Sequence, residues 1–119
     1  MSTVTGKSLR WSVTRGLDAA IRNAPKTSGV YAIGIRASLL GLPTDFQWVY
    51  IGKSKALPRR LAEHRKEIEE NPRLQAWLTE NYNRVEIWVA RVDNDALAAV
   101  ETKLIKELQP DANRIRYLN

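Results

Sequence analysis

The chain has 119 residues, the length of one domain, with 19 basic side chains against 13 acidic ones and a net charge of +6. It contains no cysteine, which excludes disulfide frameworks, thiolate zinc sites and cysteine nucleophiles, and its single histidine, His64, excludes sites built from several imidazoles. The longest apolar stretch, Val30 to Ile35, is only six residues, and charges stand near the N-terminus where a signal peptide would need its apolar core. The expectation is an intracellular protein with no signal peptide and no transmembrane segment.

In chain order, Leu17 to Arg22 reads as a short helix stopped by Asn23-Ala24-Pro25, in a helical N-terminal lead. Gly29 to Arg36 reads as a strand, with Val30, Ala32 and Gly34 on one face and Tyr31, Ile33 and Ile35 on the other. Residues 37–45 contain Gly41 and Pro43 and read as a loop. Phe46 to Gly52 is a second strand, and the short connection predicts antiparallel pairing with the first.

Ser54 and Pro58 suit the start of a helix that is expected to run to about Glu70. Pro72 opens another, to about Tyr82, which buries Leu74, Trp77 and Leu78. Val85 to Ala90 alternates as a third strand, and Asn94 or Asp95 caps a last helix that ends before Pro110. The predicted class is α/β (α+β): a small three-stranded, mainly antiparallel sheet flanked by helices.

The charge is unevenly placed. Residues 1–28 carry five basic and one acidic side chain, and 29–69 carry seven and four, while the remainder is close to neutral. Lys53, Lys55, Arg59, Arg60, Arg65 and Lys66 crowd into 14 residues opposed only by Glu63. Such a run is either a solvated face or a ridge for the phosphates of a nucleic acid.

Two familiar patterns fail. Gly52-Lys53-Ser54 imitates the end of a phosphate loop, but the glycine required five residues earlier is Gln47. No serine sits in a strand–turn–helix elbow beside His64.

Two polar groups break the expected apolar pattern. Glu101 lies four after Leu97, four before Ile105 and seven before Leu108, so it shares their helix face. A carboxylate there is costly unless it is paired, metal-bound or at a cleft edge. Arg60 and His64 stand four apart on one side of their helix, and His64 borders the apolar stripe of Leu61 and Ile68.

Together these positions resemble the GIY-YIG nuclease family. Gly29-Val30-Tyr31 stands where the first tripeptide belongs, and Tyr50-Ile51-Gly52 copies the second. Arg60 and His64 look like the family's arginine and its frequent histidine. Glu101, followed by Leu104-Ile105, Pro110 and Asn113, is similar to its closing motif. The match covers roughly residues 28–114. One departure is the 18 residues between Tyr31 and Tyr50, more than the family's usual spacing, so the Ala37–Asp45 segment resembles an insertion. Residues 1–27 fall outside the match as an N-terminal extension, and 28–119 form the nuclease-like domain.

The resemblance implies a divalent-metal-dependent DNA endonuclease. Tyr31 and Tyr50 would flank the attacking water, with the choice of base left open between them. Arg60 would clamp the phosphate through its planar fork. Glu101 would hold one Mg²⁺ or Mn²⁺. His64 would relay a proton or bind a phosphate, Gly29, Gly52 and Asn113 would support the site, and Lys53, Lys55, Arg59, Arg65 and Lys66 would contact DNA. Cytoplasmic or nucleoid-associated localisation follows from that reading. The alternative is a nucleic-acid-binding module of this fold with weak or no cleavage, acting within a larger assembly. A partner protein for targeting belongs to either reading, the oligomeric state is open, and Trp11, Trp48, Trp77 and Trp88 are left as core or interface aromatics.

Overall fold

The computed structural model describes residues 9–65, 71–81 and 84–113. The chain runs β1 (Trp11–Arg15), α1 (Leu17–Asn23), β2 (Gly29–Leu39), β3 (Leu42–Ser54), α2 (Leu57–Ala62), α3 (Pro72–Asn81), β4 (Val85–Arg91) and α4 (Leu97–Leu108). The strands form one antiparallel sheet in the order β1-β4-β2-β3, flanked by the helices. No described helix is long and apolar enough to cross a membrane.

The sheet therefore has four strands where three were expected. Trp11–Arg15 pairs along one side of β4, with Trp11 opposite Ala90 and Arg15 opposite Glu86. It lies in the segment read as helical lead. Its five residues, Trp-Ser-Val-Thr-Arg, alternate apolar and polar as a strand does, but over so short a run that the pairing with β4 is what settles the assignment.

Residues 37–45 are a correction of a different kind. The β2–β3 ladder continues outward until Leu39 faces Leu42, and Leu40 and Gly41 close it at φ 54° and 88°. Positive φ at both central residues is the hairpin geometry whose twist matches the strands. Pro43 is tolerated because β3 is an edge strand and the register shifts beside it, between Ala37 and Ser38.

The helices follow expectation in part. α2 stops at Ala62 and passes into turns at Glu63 and His64; the rest of the expected helix, 66–70, lies outside the described residues. On α3, Leu74 and Leu78 are fully buried and Trp77 is half-buried. α4 is entered through a 3-10 turn at Asn94–Ala96, with Ala96 at its N-cap and no side-chain cap, so neither Asn94 nor Asp95 caps it.

Both faces of the sheet are buried, and a register shift between Ile33 and Gly34, which leaves Val49 without a β2 partner, lets Val49 join its neighbour Tyr50 on one of them. On one face Tyr31, Ile33, Val49 and Tyr50 pack with Leu17 and Ala20 of α1, Leu57 and Leu61 of α2, and Leu74 and Leu78 of α3. On the other, Val30, Ala32 and Ile51 meet Leu97, Val100 and Ile105 of α4. The N-terminal residues 11–24 are thus built into the sheet and its core.

Candidate active site

Adjacent antiparallel strands place the two tyrosines together. Tyr31 faces Gly52 across the β2–β3 ladder and Tyr50 faces Ile33, so both side chains leave the sheet on the α2 side. Their ring centroids lie 6.2 Å apart. His64, in the turn after α2, completes a triangle, with its ring 5.3 Å from Tyr31 and 5.2 Å from Tyr50. The Tyr31 hydroxyl and His64 Nε2 are hydrogen-bonded at 2.5 Å. Tyr31 and His64 are wholly buried, and Tyr50 is 3% exposed.

Gly52 makes this arrangement possible. A Cβ at that position would stand 2.3 Å from the Tyr31 hydroxyl oxygen and 2.4 Å from Cζ, so the phenol lies directly over its backbone. Gly29 is similarly confined, by the Ala90 carbonyl and Leu57.

Arg60 stands at the mouth of the cluster, with its side chain 32% exposed and hydrogen-bonded through Nη1 to Glu63 Oε1 at 3.1 Å. Burial works against its charge. The neighbouring Tyr31 and Tyr50, and then Glu63, more than offset that, and the guanidinium is held above its ordinary pKa. A permanent cation therefore faces both phenols.

Glu101 lies on α4, against the opposite face of the sheet. Its carboxylate is only 12% exposed and accepts a hydrogen bond from the Lys53 ammonium at 3.3 Å. Lys53 follows Gly52 directly, so the Glu101 pair and the Tyr31 hydroxyl approach the same end of edge strand β3 from its two faces. The structure brings Tyr31, Tyr50, Arg60 and His64 into one cluster and Glu101 to the other side of that strand end. Among the described residues no group of three metal-ligating side chains occurs. A single partly buried carboxylate beside a displaceable, half-exposed lysine still fits a hard cation that keeps most of its waters.

Asn113 clasps this strand. Its Oδ1 accepts from the Ile51 amide at 2.7 Å and its Nδ2 donates to the Ile51 carbonyl at 2.9 Å, while the Ala112 amide donates to the Val49 carbonyl. The buried Asn113 amide imitates a neighbouring strand and fixes the backbone between Tyr50 and Gly52.

The basic ridge is exposed but partly engaged. Arg59 pairs with Glu63 at 3.8 Å, Arg65 with Asp18 of α1 at 3.6 Å, and Lys53 with Glu101. Lys55 is exposed with no ion pair among the described residues, and Lys66 lies outside them. The Lys53–Glu101 pairing was missed by assigning Lys53 to the ridge alone. Strand parity was the available signal, since Lys53 shares a face with Ile51, which turns toward α4.

A hairpin carrying paired tyrosines, an arginine and histidine just beyond it, and a glutamate on the closing helix define a GIY-YIG domain. A family model described as the UvrC-like GIY-YIG domain matches residues 41–114. The UvrABC system protein C of Rickettsia prowazekii is 33% identical over 106 residues, covering 89% of this chain and 15% of that protein. Its counterpart from Aromatoleum aromaticum is 32% identical over 95 residues, 80% of this chain and 14% of the relative. The chain thus spans about one seventh of the length of these curated relatives.

Among solved structures, the GIY-YIG N-terminal endonuclease domain of UvrC from Thermotoga maritima, bound to its catalytic divalent cation, magnesium, matches with TM-score 0.54 and 26% identity. That match covers 82% of this chain and 94% of the other. A point mutant of the same domain, also with its catalytic cation, gives TM-score 0.53 at 26% identity, over 81% and 92% of the two chains. This chain belongs to the UvrC-like GIY-YIG family.

Proposed function

We propose that the chain is a divalent-metal-dependent endonuclease that hydrolyses phosphodiester bonds in DNA, leaving 5′-phosphate and 3′-hydroxyl ends. The observation that supports it most is the buried Tyr31–Tyr50–His64 cluster over Gly52, with Arg60 at its mouth and Glu101 at the same strand end. A water oxygen bonds to phosphorus, the bond to the 3′-oxygen breaks, and the 3′-oxygen takes a proton.

Tyr31 and Tyr50 flank the water, and the Tyr31–His64 hydrogen bond is the route by which its proton leaves. The burial of His64 favours this relay over direct contact with a phosphate. Arg60 binds the non-bridging oxygens as charge builds on them. Glu101 would hold the Mg²⁺ or Mn²⁺, and the ion would supply Lewis acidity at the phosphate. Lys53, released from Glu101, joins Lys55, Arg59, Arg65 and Lys66 along the DNA, while Gly29, Gly52 and Asn113 shape the strand beneath.

The reading extends to an intracellular setting and to partner proteins for targeting, since the relatives are components of the UvrABC system. Nicking of supercoiled plasmid with Mg²⁺ or Mn²⁺, abolished by chelator, tests it. Tight DNA binding with no nicking under either metal would refute it and leave a binding module.

A further inference from the structure

Three tryptophans and a phenylalanine take no part in the cleavage chemistry. Register sets Trp11 opposite Ala90, Trp88 opposite Ala32, Trp48 opposite Gly34 and Phe46 opposite Arg36. Directly opposed residues share a sheet face, so these four, from β1, β4 and β3, form a row on the face that carries α4, bridged across β2 by the small Ala32 and Gly34. Each is partly buried: Trp11 packs beside Val30 and Leu97, and Trp48 and Trp88 beside Ala32, Ile51 and Ile105, with part of each ring left open to solvent.

Phe46 and Trp48 have ring centroids 4.5 Å apart, and Trp48 and Trp88 stand edge to face at 6.0 Å. Gly34 keeps the row continuous: a Cβ there would lie 2.6 Å from the Phe46 ring. The Arg36 guanidinium lies over Phe46, 5.2 Å from its centroid. A cleft of about 200 Å³ opens among Trp11, Trp48, Trp88, Ile51, Leu104 and Leu108. A wider one of about 590 Å³ adjoins it, sharing Trp48 and Leu108.

We propose that this row holds unpaired nucleotides, so that the substrate is DNA with a single-stranded segment beside the cut. The proposal rests on the nuclease reading above and deepens it. Bases within a duplex have both faces covered by their neighbours, and only unpaired ones can stack on a protein ring.

The row is continuous with the proposed cleavage site. Glu101, Leu104 and Leu108 share one face of α4, and Ile51, which lines the cleft, separates Tyr50 from Gly52. At about 1.5 Å of helix rise per residue and about 3.4 Å per stacked nucleotide, a base in the cleft lies within roughly three nucleotides of a phosphate at Glu101.

Charge favours the same occupant over a protein. The one buried acid in the row, Glu86, is satisfied by Arg36 at 3.2 Å and by the Trp88 indole at 3.3 Å, so it offers little repulsion to a strand. Lys53 flanks the Glu101 end and Arg36 the Phe46 end. The wider cleft is lined by Asp45 and by Asp111, the latter paired with Arg73 at 3.1 Å, so a polyanion on the row keeps to the narrower cleft and does not enter the wider one.

The test uses the full chain in chelator, with tryptophan fluorescence and binding isotherms. The probes are a thymidine oligomer, a paired duplex, and the same duplex with a single-stranded flap. The expected result is fluorescence quenching by oligomer and flap, with the flap bound on the order of tenfold more tightly than the duplex. Trp48→Ala removes that preference and leaves duplex affinity unchanged, while Trp48→Phe keeps most of it; alanine at a stacking site removes on the order of tenfold in affinity. Phe46→Ala, at the open end of the row, gives a second reading should Trp48→Ala not fold.

Equal binding of paired and unpaired DNA overturns the proposal. So does a concentration-dependent dimer in sedimentation that Trp48→Ala dissociates, which would assign the row to a second copy. Plasmid nicking on the same preparation separates the two readings. Nicking without flap preference refutes the row alone, and flap preference without nicking refutes the nuclease alone.

Discussion

Gly52→Ala bears directly on how the site is built. The new methyl carbon would stand 2.3 Å from the Tyr31 hydroxyl oxygen, 2.4 Å from Cζ and 2.8 Å from Cε1. The ring is wholly buried and its hydroxyl is committed to His64, so it does not yield as a surface side chain would. Overpacking of this kind costs about 1–3 kcal/mol. Displacing Tyr31 also breaks a buried hydrogen bond and strands its partner, at about 1–3 kcal/mol more. A combined loss of about 3 kcal/mol is a large share of the roughly 5–15 kcal/mol that holds a domain together. At this chain length it corresponds to a melting temperature lower by roughly 10 °C. Urea denaturation of four proteins measures it: parent, Gly52→Ala, Tyr31→Ala and the double variant. The alanine at 52 is expected to cost under about 1 kcal/mol once the ring is gone, since the overpacking penalty has lost its cause. Tyr31→Phe gives no such relief, because Cζ and Cε1 remain. A Gly52→Ala protein as stable as its parent, or equally damaged in the Tyr31→Ala background, would refute the reasoning.

Glu101→Gln is expected to abolish metal-dependent nicking while DNA binding in chelator persists. Its melting should shift little, because the half-exposed Lys53 contributes at most about 1 kcal/mol to the pair; preserved nicking would remove Glu101 from the site. Arg60→Lys keeps the charge but loses the planar fork, so nicking should fall sharply with the fold intact, and full activity would reduce Arg60 to a diffuse charge. Changing Lys55, Arg59 and Arg65 to alanine should flatten the log–log salt dependence of DNA binding by about one to three units, at roughly 0.9 per phosphate contact. The low end applies if Arg59 and Arg65 stay with Glu63 and Asp18, and an unchanged slope makes the ridge an ordinary solvated face.

What could be read from the sequence was what short-range periodicity encodes. Val85–Ala90 alternates cleanly and is β4, and Pro72 opens α3 as its fixed φ suggests. Trp11–Arg15 alternates apolar and polar over only five residues, and such a short edge strand takes its stability from a distant partner, Trp11 meeting Ala90. The Leu40-Gly41 turn was hidden by its composition. A leucine at φ 54° is an unusual occupant of a position that asparagine commonly fills, so Gly41 and Pro43 suggested a loop instead. At the site, helix periodicity placed Glu101 on the inner face of α4. It could not supply the Lys53 ammonium, because that contact joins a strand end to a helix 48 residues later. The closing motif marked Asn113, but its partner Ile51 lies 62 residues away and no local pattern points to it.

That clasp also bears on solubility. An exposed sheet margin with unpaired amides and carbonyls is a template for another chain's strand. Over Val49–Ile51 the margin is occupied by Ala112 and Asn113, which satisfy it without offering a further ladder. Asn113→Leu would keep the branched side-chain skeleton, though with a larger volume, and leave the Ile51 amide and carbonyl without their partners inside a hydrophobic stretch, Val49-Tyr50-Ile51, of high strand propensity. The predicted consequence is self-association by strand addition, seen as thioflavin-positive aggregates on mild warming, so that the residue holding the backbone between the tyrosine and the glycine also keeps that backbone from recruiting copies of itself.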